Sequence, residues 1–224
     1  MVVASVLVGA FNASFSVSCK TRDDVYHLSM GGIADRIIEA FQRLQQKDFE
    51  GALIPISIAL DATAKREYGK GGRGSYKEFI KSNMRLITRS GCGPSIGNIQ
   101  ISFSHPEIKN PRPDGTCTMD EILYHVVRCS LLHEAELGPG LRFEEGNSLF
   151  MDGQTQVLPS CLINGLLISV VAAPVNTGER VGGQYGLLLR GYHAPLNLLW
   201  GKRGQITDLL EAIVALEKGT TPAS

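Results

Sequence analysis

The sequence predicts a mainly α-helical fold, a bundle of five or six helices with one small β-hairpin. Two observations carry this. Apolar residues recur at three- and four-residue spacing near 33–44, 52–62, 76–87 and 122–132, the period of helices with a buried face. Strand-like alternation marks a short segment around 141–151, on either side of Gly146-Asn147 and with another turn at Asp152-Gly153, a small hairpin or meander.

The elements follow in order. Residues 2–18 are apolar but lack a basic leader and are interrupted by Asn12, Ser14, Ser16 and Ser18, so they read as a strand or irregular arm within an N-terminal arm of 1–25. A first helix begins at Gly32, with Ile33, Ile37, Ile38, Phe41 and Leu44 on one side and Asp35, Arg36, Glu39 and Arg43 on the other. A second helix, from about Asp48 to Tyr68, is apolar nearly all round, which suits the centre of a bundle. Pro55 either kinks that helix or marks its true beginning. GKGGRG at 69–74 is a turn, because the spacing of a phosphate-binding loop is missing. The next helix buries Tyr76, Phe79, Ile80, Met84 and Ile87.

Residues 90–118 read as an irregular insertion with one strand, Ile99 to Phe103, and with His105 as a surface histidine. A helix spans 119–137 and ends at Gly138-Pro139. After the hairpin, a buried helix runs from Leu158 to Ala173 with Pro159 in its first turn. A last helix covers Gln205 to Lys218, and 219–224 is a disordered tail. Residues 184–190 fit a strand or a helical turn equally.

The chain of 224 residues is read as one domain, 1–224, with 43% apolar residues and no net charge. No apolar run approaches the roughly 20 residues of a membrane span. Five cysteines without a CxxC pair or zinc spacing suggest reduced thiols in a cytoplasmic protein.

Charge is distributed unevenly. Between Lys65 and Arg89 eight Lys or Arg face two Glu, an excess that the rest of this neutral chain must balance. Arg73, Lys77, Lys81, Arg85 and Arg89 stand four apart, so they form a slowly winding basic ridge on one helix. Such a ridge is either a solvated face or a track for a phosphate backbone.

The helix at 119–137, MDEILYHVVRCSLLHEAEL, is the candidate for function. Thr116 or Thr118 caps it, and Asp120 and Glu121 meet the positive end of its dipole. Among its apolar residues stand Arg128, Cys129 and His133. A guanidinium there must pair, reach the surface or line a cleft, because an unpaired buried charge is very costly. The plain reading pairs Arg128 with Asp61, Asp120 or Glu136 and makes His133 a core histidine. Cys129 and His133, at i and i+4, would also suit a nucleophile with its base or two metal ligands, but no third ligand is visible.

The string RCSLLH at 128–133 resembles the arginine, four-to-six residues, histidine motif of HEPN-domain proteins. The resemblance implies a HEPN-like helical bundle and a homodimer whose two copies share a cleft. It also implies a metal-independent endoribonuclease without cofactor, a toxin or defence nuclease, yielding a 2′,3′-cyclic phosphate and a 5′-hydroxyl. His133 would be the acid/base and Arg128 the phosphate clamp, with Asp61, Cys129 and Glu134 in support. That chemistry suits the residue types, since imidazole titrates near neutral pH and guanidinium keeps its charge. Five helical residues turn by about 140°, so the two side chains converge only at a cleft end or with a second copy. Asn, Asp or His often follows the arginine in active members; here it is Cys129, a departure that bears on catalysis rather than fold. The alternative is a non-catalytic module that binds RNA or protein, or dimerises.

Overall fold

The computed structural model describes residues 32–217 apart from 94–96, 98, 104, 109–111, 135 and 191. The expectations for the N-terminal arm and the C-terminal tail lie outside the described residues. The fold is mainly α, with six helices and three small sheets among the described residues.

Helix α1 (Ile33–Gln45) starts where the Asp35 carboxylate accepts the Gly32 N–H, at 3.1 Å. Its apolar side, with Ile37 and Phe41, packs on α2 (Phe49–Tyr68). Asp48 caps α2 by accepting the Gly51 N–H at 2.9 Å. The helix runs through Pro55, so that proline does not mark its beginning. Buried Ala52, Leu53, Ile56, Ala59, Leu60 and Ala64 make α2 the central element, in contact with α1, α3 and the helices that follow.

A left-handed Gly69, at φ 70°, closes α2, and the glycine-rich turn leads into α3 (Arg73–Gly91). Strand β1 (Gln100–Ser102) falls within the expected strand Ile99 to Phe103 and pairs antiparallel with β2 (Thr116–Thr118), a partner that sequence periodicity did not reveal. Helix α4 occupies 119–133 in three consecutive pieces: α-helical Met119–Ile122, π-helical Leu123–Arg128 and α-helical Cys129–His133. Thr118 is its N-cap, and Glu121 accepts the Thr118 N–H at 3.0 Å. The helix stops at His133, short of the expected end, where His133, Glu134 and Glu136 are all exposed.

The expected hairpin or meander is a three-stranded sheet, whose antiparallel pair turns just after Asp152, at the second of the two expected turns, and not at Gly146-Asn147. Strands β3 (Leu141–Glu144) and β4 (Phe150–Asp152) flank β5 (Thr155–Pro159), parallel and antiparallel respectively, and do not pair with each other. The central β5 is buried from Gln156 to Pro159, as a covered strand with a parallel neighbour is. Pro159 therefore belongs to β5, and α5 (Cys161–Ala172) begins after it. Residues 186–189 are strand β6 (Gly186–Leu189), paired with β7 (Tyr192–Pro195), and α6 (Arg203–Glu217) closes the fold over Ile206 and Leu210.

Two further expectations are corrected. His105 is buried, 8% exposed, with its ring stacked on Phe103. The thiols are not all reduced: Cys92, the C-cap of α3, is joined to Cys161, the first residue of α5, while Cys117 and Cys129 are free. The two helices cross backbone to backbone here. A Cβ on Gly91 would strike the Cys161 carbonyl, and one on Gly165 the Ile87 carbonyl. No helix among the described residues is long and apolar enough to cross a membrane.

Candidate functional site

The π-helical turn of α4 sets the site. Its wider hydrogen-bond spacing shifts the helical phase, a device found often at functional positions. It brings Tyr124 and Arg128 against Tyr76 of α3 and Asp61 of α2. Arg128 Nη2 donates to Asp61 Oδ2 at 2.6 Å. The guanidinium carbon lies 5.2 Å from the Tyr124 ring centre and 5.6 Å from that of Tyr76, both within cation–π range. The two rings meet edge to face at 5.5 Å.

The electrostatics follow. Burial opposes the charge on Arg128, but the hydrogen bond and charge of Asp61 outweigh it and hold its pKa above the ordinary value. Burial pushes the Tyr76 phenol well up, against a hydrogen bond with Ser57 and the Arg128 charge. Arg128 Nε and Asp61 Oδ1 are buried without a hydrogen-bond partner. Of the partners open to Arg128 in the sequence, the structure selects Asp61.

His133 stands at the exposed end of α4, not in the core. Among the described residues no hydrogen bond or ion pair joins it to Arg128 or Asp61. Cys129 is half-buried, and Glu134 is exposed. The described residues contain no group of three or more His, Cys, Asp or Glu placed to hold a metal ion.

The basic ridge is real but partly neutralised. Arg73, Lys81 and Arg85 are exposed. Lys77 Nζ lies 3.5 Å from Asp120 Oδ2 and 3.4 Å from Glu121 Oε1, at the start of α4. Arg89 is paired with Glu211 of α6 at 2.8 Å. The N-terminal half of the ridge forms an open depression of about 360 Å³, lined by Arg73, Gly74, Lys77, Glu78, Lys81 and Asp120.

His125, which the sequence reading passed over, belongs to this neighbourhood. It is buried, 8% exposed. Burial, then the charges of Arg73 and Lys77, lower its pKa, against the pull of Glu121 and Glu107. Its Tyr124 neighbour stacks on it edge-on at 5.0 Å and contacts Arg128 in turn, which ties His125 to the Arg128 cluster. A polar Tyr-His pair inside an apolar helical run was the available signal.

Comparison with known proteins revises the family. A family model described as Rv1289 matches residues 32–220. The chain is 21% identical over 201 residues to the uncharacterized protein Rv1289 of Mycobacterium tuberculosis (strain ATCC 25618 / H37Rv), covering 84% of this chain and 93% of the relative. The uncharacterized protein Mb1320 of Mycobacterium bovis (strain ATCC BAA-935 / AF2122/97) matches to the same extent. No solved structure matches. The HEPN resemblance is thereby overturned: the family matched is a different one, and two side chains five residues apart recur in helices without common descent.

Proposed function

The chain belongs to the Rv1289 family, and we propose that within it this protein is a non-catalytic binding module that holds RNA by its phosphates along the start of α3. The observation that carries this is the open depression lined by Arg73, Lys77 and Lys81, in which Arg73 and Lys81 face solvent together on one helix. Steps of four residues rise about 6 Å along a helix, a distance that suits successive phosphates. Asp120 and Glu121 hold Lys77 in place, and Arg73 and Lys81 are left as the exposed charges. The backbone N–H groups at the start of α3 add a favourable dipole, since its N-cap Gly72 has no side chain to bond them. No aromatic side chain lines the depression, so it offers no stacking platform for bases and favours backbone over sequence.

The test is the affinity for a fluorescent single-stranded RNA. The paired variant Arg73→Ala/Lys81→Ala is expected to bind at least about tenfold more weakly. Lys47→Ala, which removes an exposed lysine paired with Glu145 away from the ridge, should bind as wild type does. Equal affinities for all three proteins would end the proposal.

A second reading keeps the ligand and adds turnover. Arg128 and His133 then form a ribonuclease site completed by a second copy, with Asp61, Cys129 and Glu134 in support. It is favoured by the unpartnered Arg128 Nε and by the solvent-facing His133 on the same helix. Both readings place the protein with RNA in the cytoplasm.

A further inference from the structure

We propose that Cys92 and Cys161 are a thiol–disulfide switch, a covalent clasp at the crossing of α3 and α5 that an external thiol opens and a low-molecular-weight disulfide closes. The inference stands apart from RNA binding and rests on where the two sulfurs sit.

They are unequal. Cys92 caps the C-terminus of α3 and is partly exposed, whereas Cys161 is the first residue of α5 and only 5% exposed. An incoming thiolate therefore reaches Cys92 Sγ. It forms a new S–S bond there, and the electron pair of the old bond leaves on Cys161 Sγ. That leaving thiolate forms at the N-terminus of a twelve-residue helix, where the helix dipole favours negative charge. A stabilised leaving thiolate speeds exchange. A second external thiolate then attacks the mixed disulfide, frees Cys92 and leaves as part of the external disulfide. One protein disulfide and two thiols become two protein thiols and one external disulfide, and the reverse sequence closes the clasp.

The fold tolerates both states. Gly91 and Gly165 seat α3 and α5 backbone to backbone, and the largely apolar α5 stays buried whether or not the sulfurs are joined. What the clasp restrains is the corner beyond α3. Arg190 Nη1 donates to the Gly93 carbonyl at 3.1 Å, one residue past Cys92, and Arg190 Nε donates to Glu217 at the end of α6, at 3.2 Å. Arg190 holds a left-handed backbone, φ 49°, that a non-glycine residue adopts only when its surroundings impose it. Opening the clasp releases Gly93 and with it this link between α3, the β6–β7 turn and α6.

The experiment titrates the full-length protein with mixtures of reduced and oxidised glutathione. Thiols are then trapped by alkylation, and the Cys92 and Cys161 peptides are mapped. The expected result is reversible conversion between a cross-linked and an open form. Reduction should lower the Tm by roughly 10 °C, because the bond closes a loop of 69 residues. Cys161→Ser should keep its helical circular dichroism, match the reduced wild type in Tm and ignore the glutathione ratio. The titration of wild type needs no variant to fold. A cross-link that never forms in oxidised glutathione would overturn the proposal. So would one that persists unchanged in fully reduced glutathione, which would make the bond a fixed staple.

Discussion

Arg128 of α4 and Asp61 of α2 meet at 2.6 Å in a partly buried pair, walled by the rings of Tyr76 and Tyr124. Their side chains are 17% and 30% exposed, so neither charge is fully hydrated. The pair ties the π-helical turn to the central helix. The nuclease reading must loosen it to present the guanidinium to a phosphate.

Removing one partner leaves the other uncompensated. Asp61→Ala should destabilise the fold by about 2 kcal/mol in urea unfolding, below the cost of breaking a fully buried pair because solvent reaches both groups. Asp61→Leu combined with Arg128→Met should recover most of that loss. A double variant as unstable as the sum of its single changes would show that the pair is not the unit.

The α3–α5 crossing makes a separate prediction. Gly165→Ala places a methyl group on the Ile87 carbonyl, in contact with backbone that cannot swing aside. A loss of about 2 kcal/mol is expected, as for overpacking a filled core. Gly74→Ala, where a Cβ meets nothing, should be tolerated.

His125 gives the fold a pH dependence of known sign. Burial and then Arg73 and Lys77 lower its folded pKa. The unfolded chain therefore takes up this proton first as pH falls, from about 6.5 downward. Stability from the neutral imidazole is full above that pH and drains as pH drops through the folded pKa. His125→Gln should flatten this part of the stability profile. NMR titration of His125 should also show its pKa rising when RNA phosphates offset Arg73 and Lys77. An unmoved resonance at saturating RNA would place the ligand elsewhere.

Periodicity and caps made much of the helical framework legible. Ile33, Ile37, Phe41 and Leu44 marked α1, Asp48 the start of α2, and Gly69 its end. What local pattern could not carry was contact over distance. The Gly146-Asn147 turn signals a hairpin, yet β3 leads away from β4 and takes β5, whose burial comes from the rest of the fold. Three- and four-residue spacing in 122–132 looks alike with or without a π-helical turn. Cys92 and Cys161 are 69 residues apart, and only folding brings them together. The basic ridge was plain in the sequence, but the carboxylates that quench Lys77 and Arg89 come from α4 and α6. The pairing of Asp61 with Arg128 was among the options the apolar context posed, since a charge there needs a partner.

Turnover is decided by one comparison. The binding-module account expects wild type and His133→Ala, purified identically, to leave RNA equally intact. The second reading expects wild type to cleave and His133→Ala to lose about a hundred- to ten-thousand-fold in rate.

The central claim is that RNA phosphates lie on Arg73 and Lys81, and salt dependence tests it most directly. Each phosphate neutralised on a single strand contributes about −0.7 to the slope of log affinity against log salt concentration. Two contacts, on the exposed Arg73 and Lys81, predict a slope of about −1.4 for wild type. Arg73→Ala/Lys81→Ala removes both and should bring the slope close to zero. The same slope in both proteins, whatever its value, would contradict the account.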